Sequence, residues 1–308
     1  MRVLVTGATG FVGPAICRAL AARGHQVVAA ARRPVPDLET RLVGDLGPDT
    51  QWSAALEGCE AVVHLAARAH VMDESEADPL AVFRRINCDG TLRLAEQAEA
   101  AGVRRFLFMS SIKVNGEATA PGRPFRADDP PAPVDPYGIA KAEAEAGLAA
   151  LGGSMAVVIL RPPLVHGPGA KGNLAALMRV LARGWPLPLG AVDNRRSLVG
   201  LDNLADAAGF LLDSDATGPV LVRDGEDVST SQLMRLLAAG LGVRPRLLPV
   251  PPALLRLGGA GLGRGAAVAR LLGSLTVDDA PLRALGWQPP LSLAAGLARM
   301  TAVFRERS

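Results

Sequence analysis

Short apolar runs alternate with stretches of helical periodicity through the first half of the chain. Residues 2–6 are a β-rich run that leads through glycines into residues 11–23, where Val12, Ile16, Ala19 and Leu20 share one helical face. A second apolar run covers 27–31, after the helix-ending Gly24. Residues 41–44 and 61–65 predict further strands, 79–101 a long helix ended by Gly102, and 105–110 the next strand. Residues 136–151 are again helical, and 156–160 form a strand. This alternation, with glycine at the turns, predicts an α/β fold: a doubly wound parallel sheet of Rossmann type, covered by helices on both faces. After Arg161 the regularity weakens, with helices expected at 173–183, 202–213 and 230–241 and one more strand at 220–222.

The first strand–helix junction reads Gly7-Ala8-Thr9-Gly10-Phe11-Val12-Gly13. Glycines here permit a tight turn and a close approach of backbone to a pyrophosphate, and the helix N-terminus turns unpaired N–H groups towards the anion. The turn therefore predicts a dinucleotide site built from Gly7, Thr9, Gly10, Phe11, Val12 and Gly13. The expected division is a dinucleotide-binding domain over 1–165, to which the strand near 219–222 returns, and a smaller C-terminal lobe for substrate over 166–308. The end of the second strand selects the dinucleotide. A carboxylate there favours NAD, whereas this chain has Ala31-Arg32-Arg33, and two guanidinium groups suit a 2′-phosphate. NADP(H) is favoured, with NAD(H) as the alternative. Asp45 and Leu46, after the third strand, are expected at the adenine edge.

Composition sharpens the chemistry. Nearly all of the 33 basic residues are Arg, since Lys occurs only at 113, 141 and 171, and the only Tyr is Tyr137. Tyr137 and Lys141 lie four apart at the start of a predicted helix, so phenol and ammonium reach one ligand. A nearby ammonium and an oxidised nicotinamide are both expected to lower the pKa of the phenol towards a useful acid–base range. Ser111, just past the strand ending FMSS, is expected to hydrogen-bond the same substrate oxygen, with Ser110 its nearest competitor.

Other classes recede. A net charge of +3 and few aromatics argue against a nucleic-acid partner. Cys17, Cys59 and Cys88 lie far apart, with no CxxC, so buried thiols are expected and no metal site. The start MRVLVTGATG lacks the features of a signal peptide. The most apolar stretch, 247–275, is broken by Pro, Gly and Arg. A cytoplasmic protein without a membrane partner is expected.

Together these residues resemble the extended short-chain dehydrogenase/reductases of the NAD-dependent epimerase/dehydratase family. The resemblance spans nearly the whole chain: TGATGFVG at 6–13, HLAAR at 64–68, NCDGT at 87–91, FMSSIKVNGE at 108–117, DPYGIAK at 135–141, RPPLVHGPG at 161–169 and LGW at 285–287. FMSSIKVNGE and RRSLVGLDN, at 195–203, look most like a bacterial subgroup labelled UDP-glucose 4-epimerase, which also contains 4-keto UDP-sugar reductases. The resemblance implies that Ser111 holds the sugar C4 oxygen, Tyr137 exchanges its proton and Lys141 binds the nicotinamide ribose. It implies further cofactor contacts at Leu65, Ala66, Ala67, Pro163 and Val165. Arg196 and Asn173 match contacts to the nucleotide diphosphate, and Leu189, within 187–190, falls where relatives cradle uracil. Asn87 is expected to be a structural hydrogen-bonder. A homodimer through the helices beginning near Pro79 and Pro136 is implied as well.

Three departures matter. Asn115 stands in place of the usual Tyr of VYG, Leu164 and His166 replace an Asn and a Tyr of RPxNVYGP, and the NAD-type carboxylate is absent. Ile112-Lys113 follows Ser111 where dehydratases carry Asp-Glu, so a dehydratase is not expected. The favoured reaction is NADPH-dependent reduction of a 4-keto UDP-hexose in surface-polysaccharide biosynthesis. A UDP-glucose or UDP-N-acetylglucosamine 4-epimerase with bound NAD is the alternative, and a non-catalytic NADP-sensing protein the third reading.

Overall fold

The computed structural model describes residues 1–69, 78–170 and 172–306, so Lys171 lies outside the described residues. Its strands are β1 (Arg2–Thr6), β2 (Gln26–Ala31), β3 (Glu39–Leu42), β4 (Ala61–His64), β5 (Arg105–Met109), β6 (Ala156–Arg161), β7 (Leu164–His166), β8 (Arg196–Gly200), β9 (Gly218–Leu221) and β10 (Asp227–Val228). Seven form one parallel sheet in the order β3-β2-β1-β4-β5-β6-β9. This is the Rossmann-type order, in which the crevice at the strands' C-terminal ends receives a ligand. β9, the strand expected near 219–222 to return to the first domain, pairs with β6.

The helices are α1 (Gly13–Ala22), α2 (Ser53–Leu56), α3 (Pro79–Phe83), α4 (Gly90–Ala100), α5 (Pro136–Ala150), α6 (Asn173–Ala182), α7 (Leu201–Asp213), α8 (Thr230–Leu241), α9 (Pro252–Gly261), α10 (Gly265–Leu272), α11 (Ala280–Ala284) and α12 (Leu293–Glu306). The central strands are buried on both faces, which explains their continuous apolar runs. On one face Ile16 and Leu20 of α1 and Leu204, Ala208 and Leu211 of α7 pack on Val3, Val5 and Val63. On the other, Leu94 and Ala98 of α4 and Ala144 and Leu148 of α5 pack on Leu4, Val62, Phe106 and Phe108. Burial of the Val, Leu, Ile and Phe side chains among these, at roughly 1.5–3 kcal/mol each, is what holds the layers together.

The single helix predicted over 79–101 is interrupted. Between α3 and α4 the chain winds one wider, π-helical turn at Arg84–Asp89. Periodicity could not show it, because an inserted residue disturbs the helical pattern only locally. A second core joins Leu174 and Met178 of α6, Leu233, Met234 and Leu237 of α8, and Leu297 and Met300 of α12. It lies beside a small sheet in the order β10-β8-β7.

Candidate active site

The C-terminal ends of β1, β4 and β5 carry the predicted constellation. After β1 the chain turns at Gly7, whose φ is +71°, and a Cβ there would lie 2.7 Å from the backbone nitrogen of Ala66. A Cβ on Gly13 would lie 2.3 Å from the Gly7 carbonyl oxygen. Gly10 N–H donates to that same carbonyl at 2.9 Å. These contacts close the turn tightly against the Leu65–Ala66 segment that follows β4. The N-terminus of α1 has no side-chain cap and no acidic residue in its first turn. Uncapped N–H groups and the helix dipole suit a phosphate, so the turn fits a dinucleotide. Thr9 and Phe11 are exposed on its rim, and Val12 is half-buried.

His64, fully buried at the end of β4, ties this turn to the start of α4. Its Nδ1 lies 2.7 Å from Thr6 Oγ1 and its Nε2 3.0 Å from Thr91 Oγ1. Thr6 Oγ1 also accepts from the backbone N–H groups of Leu65 and Ala66, at 3.2 and 3.1 Å. Burial, with the nearby Lys141 charge adding to it, pushes the imidazole down to about 3, so His64 is a neutral strut. Asn87, in the π turn, accepts from Arg68 N at 2.8 Å and donates to Arg68 O at 2.9 Å. It holds the segment carrying Leu65, Ala66 and Ala67, which is a structural role.

Past β5, Ser110 and Ile112 continue backbone pairing with Leu160 and Pro162, at 2.8 and 3.0 Å. Ser111 lies between them with extended backbone, and its Oγ accepts from Lys113 N at 3.3 Å. Asp135 caps α5 by accepting from Gly138 N at 2.7 Å, with Pro136 in the first turn. Its other oxygen pairs with the Lys113 ammonium, which also faces Glu117 at 3.4 Å. A Cβ on Gly138 would sit 3.0 Å from Lys113 O, so the missing side chain lets α5 dock on the Ser111 loop.

Tyr137 and Lys141 project from that docked helix. The Lys141 Nζ is 6.0 Å from the Tyr137 ring centroid, 4.2 Å from that of Phe108, and donates to Met109 O at 2.9 Å. Tyr137 meets Phe83 edge-on, with ring centroids 6.2 Å apart. The expected lowering of the phenol pKa is not met by the chain alone. Burial, with the Asp135 charge behind it, pushes Tyr137 up to about 12. Burial also brings Lys141 down to about 7 against an opposing pull from Glu145. Desolvation outweighs the phenol–ammonium attraction because both groups sit in the same apolar layer.

Beneath them lies a buried ionic network. Arg161 Nε donates to both Glu145 oxygens at 3.0 and 3.1 Å, and Arg161 Nη1 donates to Asn115 Oδ1 at 3.0 Å. Ser110 Oγ is held by Glu145, which separates its role from that of Ser111. Residue periodicity gave no sign of this network. Its only signals were a Glu on the helix face eight residues after Tyr137 and the Arg that opens RPP.

The remaining predicted residues are more dispersed. Arg32 Nη1 donates to Asp45 Oδ1 at 2.9 Å, so two residues read as separate dinucleotide contacts form one exposed ion pair. Arg33 is exposed, and Leu46 packs against Gly90. Pro163 is buried and Val165 half-buried along the 161–166 segment. Arg196 Nη1 donates to the carbonyls of Arg270 and Gly273 at 2.7 and 3.1 Å. Asn173 is exposed at the start of α6, whereas the Leu189 side chain is buried in the second core. His166 is also buried, 2.6 Å from Asp224 through Nε2, and is not presented to the cleft. Among the described residues no cluster of His, Cys, Asp and Glu could hold a metal ion, and no helix is long and apolar enough to cross a membrane.

Residues 3–222 match the NAD dependent epimerase/dehydratase family. A Vibrio cholerae protein named UDP-glucose 4-epimerase is 44% identical over 98% of this chain and 95% of its own length. The chain belongs to the NAD dependent epimerase/dehydratase family. It is an enzyme of the extended short-chain dehydrogenase/reductase kind. The family's names divide between epimerases and reductases. A Stenotrophomonas maltophilia 2-alkyl-3-oxoalkanoate reductase is 32% identical over 80% of this chain and 77% of its own length. Among solved structures, the Thermus thermophilus UDP-glucose 4-epimerase complex with NAD superposes with a TM-score of 0.78. It is 27% identical, and the match covers 100% of both chains.

Proposed function

We propose that this enzyme epimerises C4 of a UDP-linked hexose, using a dinucleotide held by the Gly7–Gly13 turn. The likeness over nearly the full length to a protein named UDP-glucose 4-epimerase carries this reading. It moves the balance away from the reduction of a 4-keto UDP-sugar that the sequence favoured. The Arg32–Arg33 pair and the missing carboxylate after β2 still support a 2′-phosphate, so NADP is accepted as well as NAD.

Bound nicotinamide supplies the hydride acceptor and donor. Tyr137 takes a proton from the sugar O4 hydroxyl and returns one to the same oxygen. Ser111 hydrogen-bonds that oxygen and fixes its position. Lys141, anchored on Met109 O, stabilises the phenolate in its ammonium form, which Glu145 favours. Without dinucleotide, burial keeps Tyr137 protonated, so the phenolate that takes the first proton forms only with the Lys141 ammonium and an oxidised nicotinamide beside it. Arg196 and Asn173 are assigned to the diphosphate, and the 187–190 backbone with Leu189 to the uracil. Apart from Nη1, the guanidinium nitrogens of Arg196 make no hydrogen bond among the described residues. A homodimer through α3–α4 and α5 belongs to the same reading.

Incubation with UDP-glucose, UDP-N-acetylglucosamine or a 4-keto UDP-sugar, with and without NADPH, tests it. Interconversion of the stable sugars without net consumption of dinucleotide is expected. Stoichiometric loss of NADPH with the ketone, and no interconversion, would assign reduction instead.

A further inference from the structure

The apolar stretch at 247–275, too interrupted to span a bilayer, folds as α9 and α10 packed together, with Gly259 seated against Val268. Three leucines of the α9–α10 hairpin face solvent: Leu254 is 57% exposed, Leu257 70% and Leu262 78%. Leu254 and Leu257, with Gly258 and Gly261, share one face of α9, while Leu255 and Gly259 turn inward. Leu248 is exposed just upstream. A backbone bridge between Leu187 and Leu247 brings in the loop that carries Trp185, 56% exposed, with the Arg183 guanidinium 5.5 Å from its ring. An apolar surface of this kind has to be covered by something or carry a function.

Charge identifies the cover. From 228 to 277 the chain has six arginines, at 235, 244, 246, 256, 264 and 270, and no Asp, Glu or Lys. All six are exposed. None makes an ion pair among the described residues, as is also true of the exposed Arg18, Arg33, Arg123 and Arg179, but here the stretch itself holds no carboxylate that could supply one. The surface therefore combines protruding leucines, an interfacial tryptophan and unneutralised guanidinium groups. Apolar side chains that reach the acyl boundary and cations that meet anionic headgroups are the two contributions that hold a helix in a membrane interface. Arginine stems add to this by lying along apolar surface while the head stays in the polar layer. α9 has ten residues and lies on such a surface without spanning it.

We propose that the α9–α10 hairpin, with the Trp185 loop, is a peripheral docking surface for an anionic phospholipid bilayer. It goes beyond the catalytic reading and does not depend on it: Leu254, Leu257, Leu262 and Trp185 lie outside both the Ser111–Tyr137–Lys141 site and the 187–190 segment assigned to the uracil.

Co-sedimentation of the full chain with vesicles tests this. Binding to an equimolar mixture of phosphatidylglycerol and phosphatidylcholine is expected to be about tenfold or more tighter than to phosphatidylcholine alone, and to weaken as salt is raised. The variant carrying Leu254→Asn, Leu257→Asn and Leu262→Asn is expected to stay in the supernatant, with turnover in lipid-free buffer unchanged. Arg256→Gln with Arg264→Gln is expected to remove the preference for the anionic lipid. Absence of binding to either vesicle, equal binding to both, or undiminished binding of the leucine variant would overturn the proposal. So would loss of a self-association step in lipid-free buffer on leucine substitution, which would assign the face to a second copy.

Discussion

Lys141→Met is expected to stabilise the protein while abolishing its turnover. The amine is 1% exposed and has one hydrogen bond, to Met109 O. Its pKa falls from 10.5 in the unfolded chain to about 7 in the folded one, chiefly through burial. Each unit is worth about 1.4 kcal/mol, so holding this group costs about 3–5 kcal/mol at and below neutral pH. Methionine has similar length and no charge, and forfeits the Met109 hydrogen bond, about 1 kcal/mol, and the ammonium's contact with the Phe108 ring, about 0.5–1 kcal/mol. A net gain of about 1–3 kcal/mol remains.

The pH dependence tests the cause. Between pH 7 and 10.5 the unfolded chain binds the lysine proton and the folded chain does not, so wild-type stability rises with pH across that window. The variant lacks this rise. Its advantage is largest near neutrality and disappears as the pH approaches the unfolded value of 10.5. His64, held at about 3 chiefly by burial, is neutral in both proteins across this range and cancels in the difference. Thermal unfolding of both proteins across that range, followed by circular dichroism, gives the comparison. A variant less stable than wild type by the same margin at both ends would refute the reasoning, because a desolvated ammonium cannot give that result.

Four further outcomes follow from the same geometry. Glu145→Ala leaves the Arg161 guanidinium buried without its carboxylate and is expected to cost about 3–5 kcal/mol in chemical denaturation; a loss below about 1 kcal/mol would mean that the pair is solvated. Tyr137→Phe is expected to keep dinucleotide affinity in a fluorescence titration and lose at least about a hundredfold in kcat. Gly13→Ala drives a methyl group into the Gly7 carbonyl and is expected to abolish the thermal shift that NAD or NADP induces. Replacing Arg32 and Arg33 by serine is expected to weaken NADPH binding much more than NADH binding, and equal losses would show that the pair does not read the 2′-phosphate.

What was legible in the sequence was local. The Gly7–Gly13 turn, the Tyr137–Lys141 spacing and the apolar runs of the sheet each declare themselves within a few residues, and the sheet assembled as those runs predict. Asp135 lay in the DPYGIAK run without a role read for it, and its pairing with Lys113 shows how the Ser111 loop is fixed to α5. Glu145–Arg161 and Thr6–His64–Thr91 were illegible for a different reason. Their partners lie 16 to 58 residues apart, and neither end carries a pattern of its own. The π turn was hidden because one inserted residue leaves the apolar rhythm on both sides intact.

The same distinction governs the sign of the Tyr137 shift. Spacing correctly brings an ammonium near the phenol, and reasoning from that pair alone predicts a lowered pKa. Burial is a property of the whole packed layer, with Phe83 against the ring and Phe108 against the amine, and it dominates both groups. A pair of residues read from spacing therefore gives the neighbours, while the packed layer sets their resting state in the chain without its nicotinamide. Without dinucleotide the chain holds the phenol protonated and brings the lysine pKa down to about 7. Glu145 is then more than a structural anchor. It is the carboxylate that draws Lys141 back towards its charged form, and the Arg161 network beneath the site fixes how strongly it can do so.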